Sequence, residues 1–107
     1  MQTTRQQYLI KLLEATPNDA FLLFALAKEL ESAGDDMQSL SFYLRLIETE
    51  PTYVGTYYHL GKLYERLEDF QNAILTYKQG IEISKNAGDR HSMSELQAAL
   101  LNLEDPE

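Results

Sequence analysis

Residues 51–82 read PTYVGTYYHLGKLYERLEDFQNAILTYKQGIE, and residues 17–48 read PNDAFLLFALAKELESAGDDMQSLSFYLRLIE. Aligned at an offset of 34, they superimpose Pro17 on Pro51, Leu26 on Leu60, Lys28 on Lys62, Glu31 on Glu65, Asp35 on Asp69, Tyr43 on Tyr77, Ile47 on Ile81 and Glu48 on Glu82. Each copy carries two apolar stripes at helical spacing. The first has Leu22, Leu23, Leu26, Leu30 and Ala33, then Leu40, Tyr43, Leu44, Leu46 and Ile47. The second has Tyr57, Leu60, Leu63, Tyr64 and Leu67, then Phe70, Ala73, Ile74, Tyr77, Ile81 and Ile83. A two-helix unit of this length cannot bury both stripes alone, so copies stack into an all-α solenoid around a continuous core.

Stop and start signals bound the helices. Asn18 or Asp19, Asp35 or Asp36, and Asp69 are predicted N-caps, Gly34 ends one helix and Pro51 ends another. Thr52 is expected to start the first helix of the second copy. Outward from the two copies, Leu9, Leu12 and Leu13 stand where the offset puts Tyr43, Leu46 and Ile47, so residues 1–17 form a half repeat whose first helix is missing. That would leave Tyr8, Ile10 and Leu13 on an exposed edge, a possible route to a homodimer. At the other end Met93, Leu96, Leu100 and Leu103 match Tyr57, Leu60, Tyr64 and Leu67 at an offset of 36. A last helix is therefore predicted, with Ser92 and Glu95 as a capping box and Leu101 off the core stripe. The expected helices are 3–15, 18–33, 36–50, 52–67, 70–86 and 91–104, in one domain over 1–107: half repeat 1–17, repeats 18–51 and 52–87, and capping helix 88–107.

A chain of 107 residues with 44% hydrophobic content supports one core. Seventeen acidic against nine basic residues give a net charge of -8, which repels phosphate backbones and anionic lipid, so neither nucleic acid nor membrane is an expected partner. There is no cysteine, hence no disulfide framework or thiolate metal site. No stretch reaches the ~20 apolar residues of a membrane span and the first residues lack a signal-peptide pattern, so a soluble, cytoplasmic protein is expected.

Tyr57-x-x-Leu60-Gly61-x-x-Tyr64, then Asp69-Phe70, Ala73-x-x-x-Tyr77 and the terminal Pro51 of the previous copy, resembles the tetratricopeptide repeat. Tyr57 keeps a large ring between the helices, Gly61 admits a close partner, and Ala73 sits opposite for the same steric reason. Gly80, where the other copy has Leu46, departs from the pattern. The resemblance spans about residues 5–104 and is to small stand-alone bacterial members. It implies a right-handed superhelical stack of antiparallel helix pairs that holds another polypeptide.

In such arrays the first helices line a concave groove. The resemblance then assigns Phe21, Phe24, Ala25, Lys28 and Glu31 to that face, with Gly55, Tyr58, His59, Lys62, Glu65 and Arg66 as equivalents. Phe21, Phe24, Lys28, Tyr58, His59, Lys62 and Arg66 are the candidate ligand residues: an aromatic floor with cations suits an acidic or aromatic segment of a peptide or partner helix. Against this, Glu31 and Glu65 stand three residues after Lys28 and Lys62, close enough to pair with them. The family's carboxylate clamp is not intact, since it would need lysine at Phe24 and asparagine at Lys28 and His59. His59 and His91 have no metal-ligand spacing, no glycine pair cradles phosphate, and Ser92 beside His91 is accounted for by capping, so no metal, cofactor or catalytic role is expected.

Overall fold

The computed structural model describes residues 3–104 and places six helices in them: α1 (Thr4–Ala15), α2 (Ala20–Ser32), α3 (Asp36–Thr49), α4 (Gly55–Arg66), α5 (Phe70–Ala87) and α6 (Arg90–Glu104). No strand occurs among the described residues, and the fold is all-α, as the periodicity predicts. The outer ends of the expected first and last segments, residues 1–2 and 105–107, lie outside the described residues.

Helix starts follow the aspartates. Asp19, Asp35 and Asp69 accept from the backbone N–H of Leu22, Gln38 and Asn72 at 3.1, 3.2 and 3.2 Å. The side-chain amides of Gln38 and Asn72 donate back to the second oxygen of Asp35 and Asp69, so the same cap recurs 34 residues on. α1 begins with a capping box that the periodicity does not reveal: Thr3 accepts from the Gln6 N–H while the Gln6 side chain accepts from Thr3. Two expected starts are corrected. Thr52 lies in the turn after Pro51, where the Tyr53 N–H donates to the Glu50 carbonyl, and α4 begins at Gly55 without a side-chain cap. The box between Ser92 and Glu95 does not form either. Asp89, one residue before α6, accepts from both the backbone N–H and the hydroxyl of Ser92, which holds its carboxyl below the usual range.

The chain divides into two compact units, meeting at Tyr53 and Val54 in sequence. In the first, α2 packs on α3 and on α1, and Leu9, Leu13, Leu23, Ala25, Leu26, Leu30 and Leu46 form its core. Leu13 is thus buried, at 8% exposure, and Ile10 is half-buried, because α1 turns both toward α2. The exposed N-terminal edge is left with Tyr8 and Leu12. Ser39 occupies the small position of Ala73 and uses its hydroxyl, donating 2.8 Å to the buried Ala27 carbonyl.

In the second unit α5 packs on both α4 and α6. Tyr57, Leu60, Gly61, Ala73 and Tyr77 are buried there as predicted, while Tyr64 and Ile74 are half-buried. A Cβ at Gly61 would lie 2.1 Å from Tyr77 Cε1, so the glycine is the space that the ring fills. Gly80 has a comparable reason. A Cβ there would lie 2.5 Å from Tyr57 Cβ and 3.0 Å from Leu96 Cδ1, where α4, α5 and α6 converge. Close approach of three helices outweighs the roughly 1 kcal/mol of helix propensity that a glycine gives up.

Two hydroxyls in this unit, Thr56 Oγ1 and Ser84 Oγ, are fully buried without a hydrogen-bond partner. An unmet buried hydroxyl costs about 1–3 kcal/mol of desolvation. Thr56→Val and Ser84→Ala are therefore each expected to raise stability by about 1 kcal/mol, read as a higher urea midpoint at unchanged m-value. A lower midpoint for either variant would mean that the hydroxyl has a partner in solution.

Candidate functional site

The predicted ligand residues fall on α2 of the first unit and α4 of the second. On α2, Phe21 is exposed at 63%. Phe24 is half-buried, its ring edge-on to Tyr43 at 6.2 Å and tilted against Tyr53 at 5.6 Å. Lys28 is half-buried one turn on. Ala25, also expected on this face, belongs instead to the core, because it meets the side chains that α1 and α3 turn toward α2.

On α4, residues 58, 59 and 62 are half-buried and Arg66 is exposed. The rings of Tyr58 and His59 stand perpendicular at 5.6 Å, and the Lys62 ammonium lies 5.6 Å from the Tyr58 centroid, within cation–π range. Lys62 Nζ is also 3.7 Å from Glu65 Oε2. That same oxygen accepts from the Tyr77 hydroxyl, and in the first unit Glu31 Oε1 accepts from Tyr43 at 2.6 Å. The glutamates at the two matching positions are therefore held from below by buried tyrosines. Burial, then the hydrogen bond and charge of Glu65, and last the nearby Tyr58 push the Tyr77 phenol well above its ordinary range, so it stays a donor.

α6 contributes a wall where the repeat pattern predicts only a cap. Between α4 and α6 run two adjoining hollows of about 180 and 190 Å³. The first is lined by Gly55, Tyr58, His59, Ser92, Glu95 and Leu96, and the second by Tyr58, Lys62, Glu95, Ala98, Ala99 and Asn102. Tyr58 and Glu95 border both, so the hollows make one trough with a partition. Glu95 is also 3.6 Å from His91 Nε2 on its own helix. The signal for this wall is present in the sequence, since an offset of 36 places Glu95 at His59, Ala98 at Lys62 and Asn102 at Arg66.

Among the described residues no three His, Asp or Glu side chains converge as a metal site, and no helix is long and apolar enough to cross a membrane.

Comparison with known proteins adds to this geometry. The tetratricopeptide repeat family model matches residues 54–86, which is the α4–α5 pair to within one residue at either end. A crystal structure of a tetratricopeptide repeat domain protein from Salinibacter ruber is 48% identical, covers 83% of this chain and 99% of its own, and superimposes with a TM-score of 0.78. The TPR repeat-containing protein PA0015 of Pseudomonas aeruginosa is 28% identical over 94 residues, 88% of this chain and 90% of its own. PcrH, crystallised in complex with the chaperone binding region of PopD, is 16% identical over 92% of this chain and 74% of its own, with a TM-score of 0.85, a likeness of fold.

Proposed function

The chain belongs to the tetratricopeptide repeat family, and from that premise we propose that it is a protein–protein interaction module holding a peptide or partner helix. The α4 face, walled by α6, is the primary site, with Phe21, Phe24 and Lys28 of α2 as a further contact face. The observation that carries this reading is the Lys62 ammonium over the Tyr58 ring beside the small Ala98 and Ala99. An aromatic floor offers apolar area, small residues admit a backbone, and a cation near a ring fixes a carboxylate. The preferred ligand segment is thus an acidic residue beside an apolar or aromatic anchor. The shared fold with PcrH, which was captured holding a region of another protein, is consistent with such a role. We further propose that the chain acts by binding and not by catalysis, in a cytoplasmic setting.

Lys62→Glu with Arg66→Glu tests the site. Both side chains reach solvent, so the helical fold should persist, with a loss of about 1 kcal/mol as Lys62 leaves Glu65 and Arg66 leaves the last turn of α4. Proteins that co-purify with the native chain, identified by mass spectrometry, should be lost from the double mutant and be progressively released by salt from the wild type. Full retention by the mutant would move the site off α4.

A homodimer through α1 is the lesser reading. With Leu13 buried it would rest on Tyr8 and Leu12, against the about 800 Å² per partner of a stable interface. Sedimentation at high concentration should return a monomer.

A further inference from the structure

We propose that the occupant of the α4–α6 trough carries a basic residue, lysine or arginine, directed at Glu95 on the partition between the two hollows, beside the acidic residue that Lys62 receives in the second. The proposal rests on the binding reading above and adds the charge order of the partner.

The trough is not uniformly cationic. Glu95 stands in the wall of both hollows, and its side chain is 50% exposed. The ion-pair partner on its own helix, His91, is 85% exposed at 3.6 Å, a contact that solvent screens heavily. Lys62, for its part, is shared with Glu65. A ligand bearing only acids would gain Lys62 but would lie against the Glu95 carboxylate on the opposite wall. Like charges across a narrow, partly desolvated groove select strongly against that ligand.

The charges are also ordered. The first hollow pairs the opening turns of α4 with Ser92 and Glu95 of α6, and the second pairs Tyr58 and Lys62 with Ala98 and Asn102 further along α6. The two walls therefore advance together. Along them Glu95 stands at the partition that borders both hollows, Lys62 lines the second, and Arg66 follows one turn further along α4. A complementary ligand presents its base first and its acid second, against the Tyr58 ring that borders both hollows. That order gives the ligand a register as well as a charge, which a single basic patch could not do.

Random peptides serve as the probe. A displayed library of random twelve-residue peptides is panned against the immobilised full chain, against Glu95→Lys and against Lys62→Glu, each shown by circular dichroism to be folded. Peptides selected by the wild type should be enriched in Lys or Arg a fixed number of positions from Asp or Glu. Selection on Glu95→Lys should lose the basic enrichment and keep the acidic one, and Lys62→Glu should do the reverse. For one selected peptide, made synthetically with a fluorescent label, Glu95→Lys should weaken binding about tenfold, and changing the peptide's base to glutamate should restore it.

Basic enrichment that is absent, or that survives Glu95→Lys unchanged, overturns the proposal while leaving the binding site at Lys62 intact. If no peptide is enriched over the unselected library on any of the three proteins, the binding reading itself fails, and this inference with it.

Discussion

Replacing Gly61 by leucine is expected to cost a net of about 2 kcal/mol, with a melting temperature lower by roughly 8–16 °C for a domain of this size. Two effects oppose each other. Leucine is the better helix former by roughly 1 kcal/mol, while overpacking a filled contact costs up to about 3 kcal/mol. Overpacking wins here because the first added atom already collides: a Cβ would sit 2.1 to 2.6 Å from three atoms of the Tyr77 ring. That ring is fully buried and tethered through its hydroxyl to Glu65, so it cannot swing aside, and α4 and α5 must separate instead. Gly34→Ala makes a useful contrast, since a Cβ there meets nothing within 4 Å and only the positive φ of 83° resists it. A Gly61→Leu protein with the wild-type denaturation midpoint would refute the contact.

The architecture is legible because a repeat states its core positions twice. Tyr43 and Tyr77, Leu26 and Leu60, and Asp35 and Asp69 each confirm the other, and the structure gives them matching environments. What stays hidden depends on a third element or on a choice between neighbours. Gly80 looks like a defect until Leu96 of α6 is placed against it beside Tyr57. Leu13 reads as an exposed edge because a missing helix is expected to leave it bare, whereas α1 turns it into α2. Ser92 and Asp89 both suit a cap, and the carboxylate, with two acceptor oxygens, takes both donors of Ser92. Glu65 reads equally well as a partner for Lys62, and it is, but a tyrosine twelve residues further on also claims it. Of the candidate site, the α4 residues Tyr58, His59 and Lys62 are named from the 34-residue repeat, whereas the facing wall of α6 shows only through the offset of 36, because that helix carries Ala98 and Glu95 where its counterpart carries Lys62 and His59.

Tyr77 joins the core to that site, and its variants separate the two roles. Tyr77→Ala should cost about 3–5 kcal/mol through the cavity left by a fully buried ring. Tyr77→Phe keeps the ring and removes only the bond to Glu65. A hydrogen bond to a charged group contributes about 1.5–3 kcal/mol, and the lower end applies because Glu65, with its side chain 25% exposed, regains water. The pH dependence reports the buried phenol, burial first and the bond to Glu65 second. Burial and the Glu65 carboxylate raise the phenol's pKa in the folded chain above the ordinary tyrosine value of about 10, so folding retains a proton that the unfolded chain releases. The contribution is complete below that pH and declines above it at about 1.4 kcal/mol per pH unit. Tyr57 and Tyr64 are raised too, by burial and, for Tyr64, then by Asp69, but they are present in both proteins and cancel in the comparison. Stability curves of wild type and Tyr77→Phe, measured by urea titration from pH 8 to 11, should run parallel and then converge above pH 10. Curves that stay parallel throughout would show the phenol titrating as if in water, neither buried nor bonded to Glu65. In that case Lys62, which shares the same carboxylate oxygen, would lose the fixed partner that positions it over Tyr58.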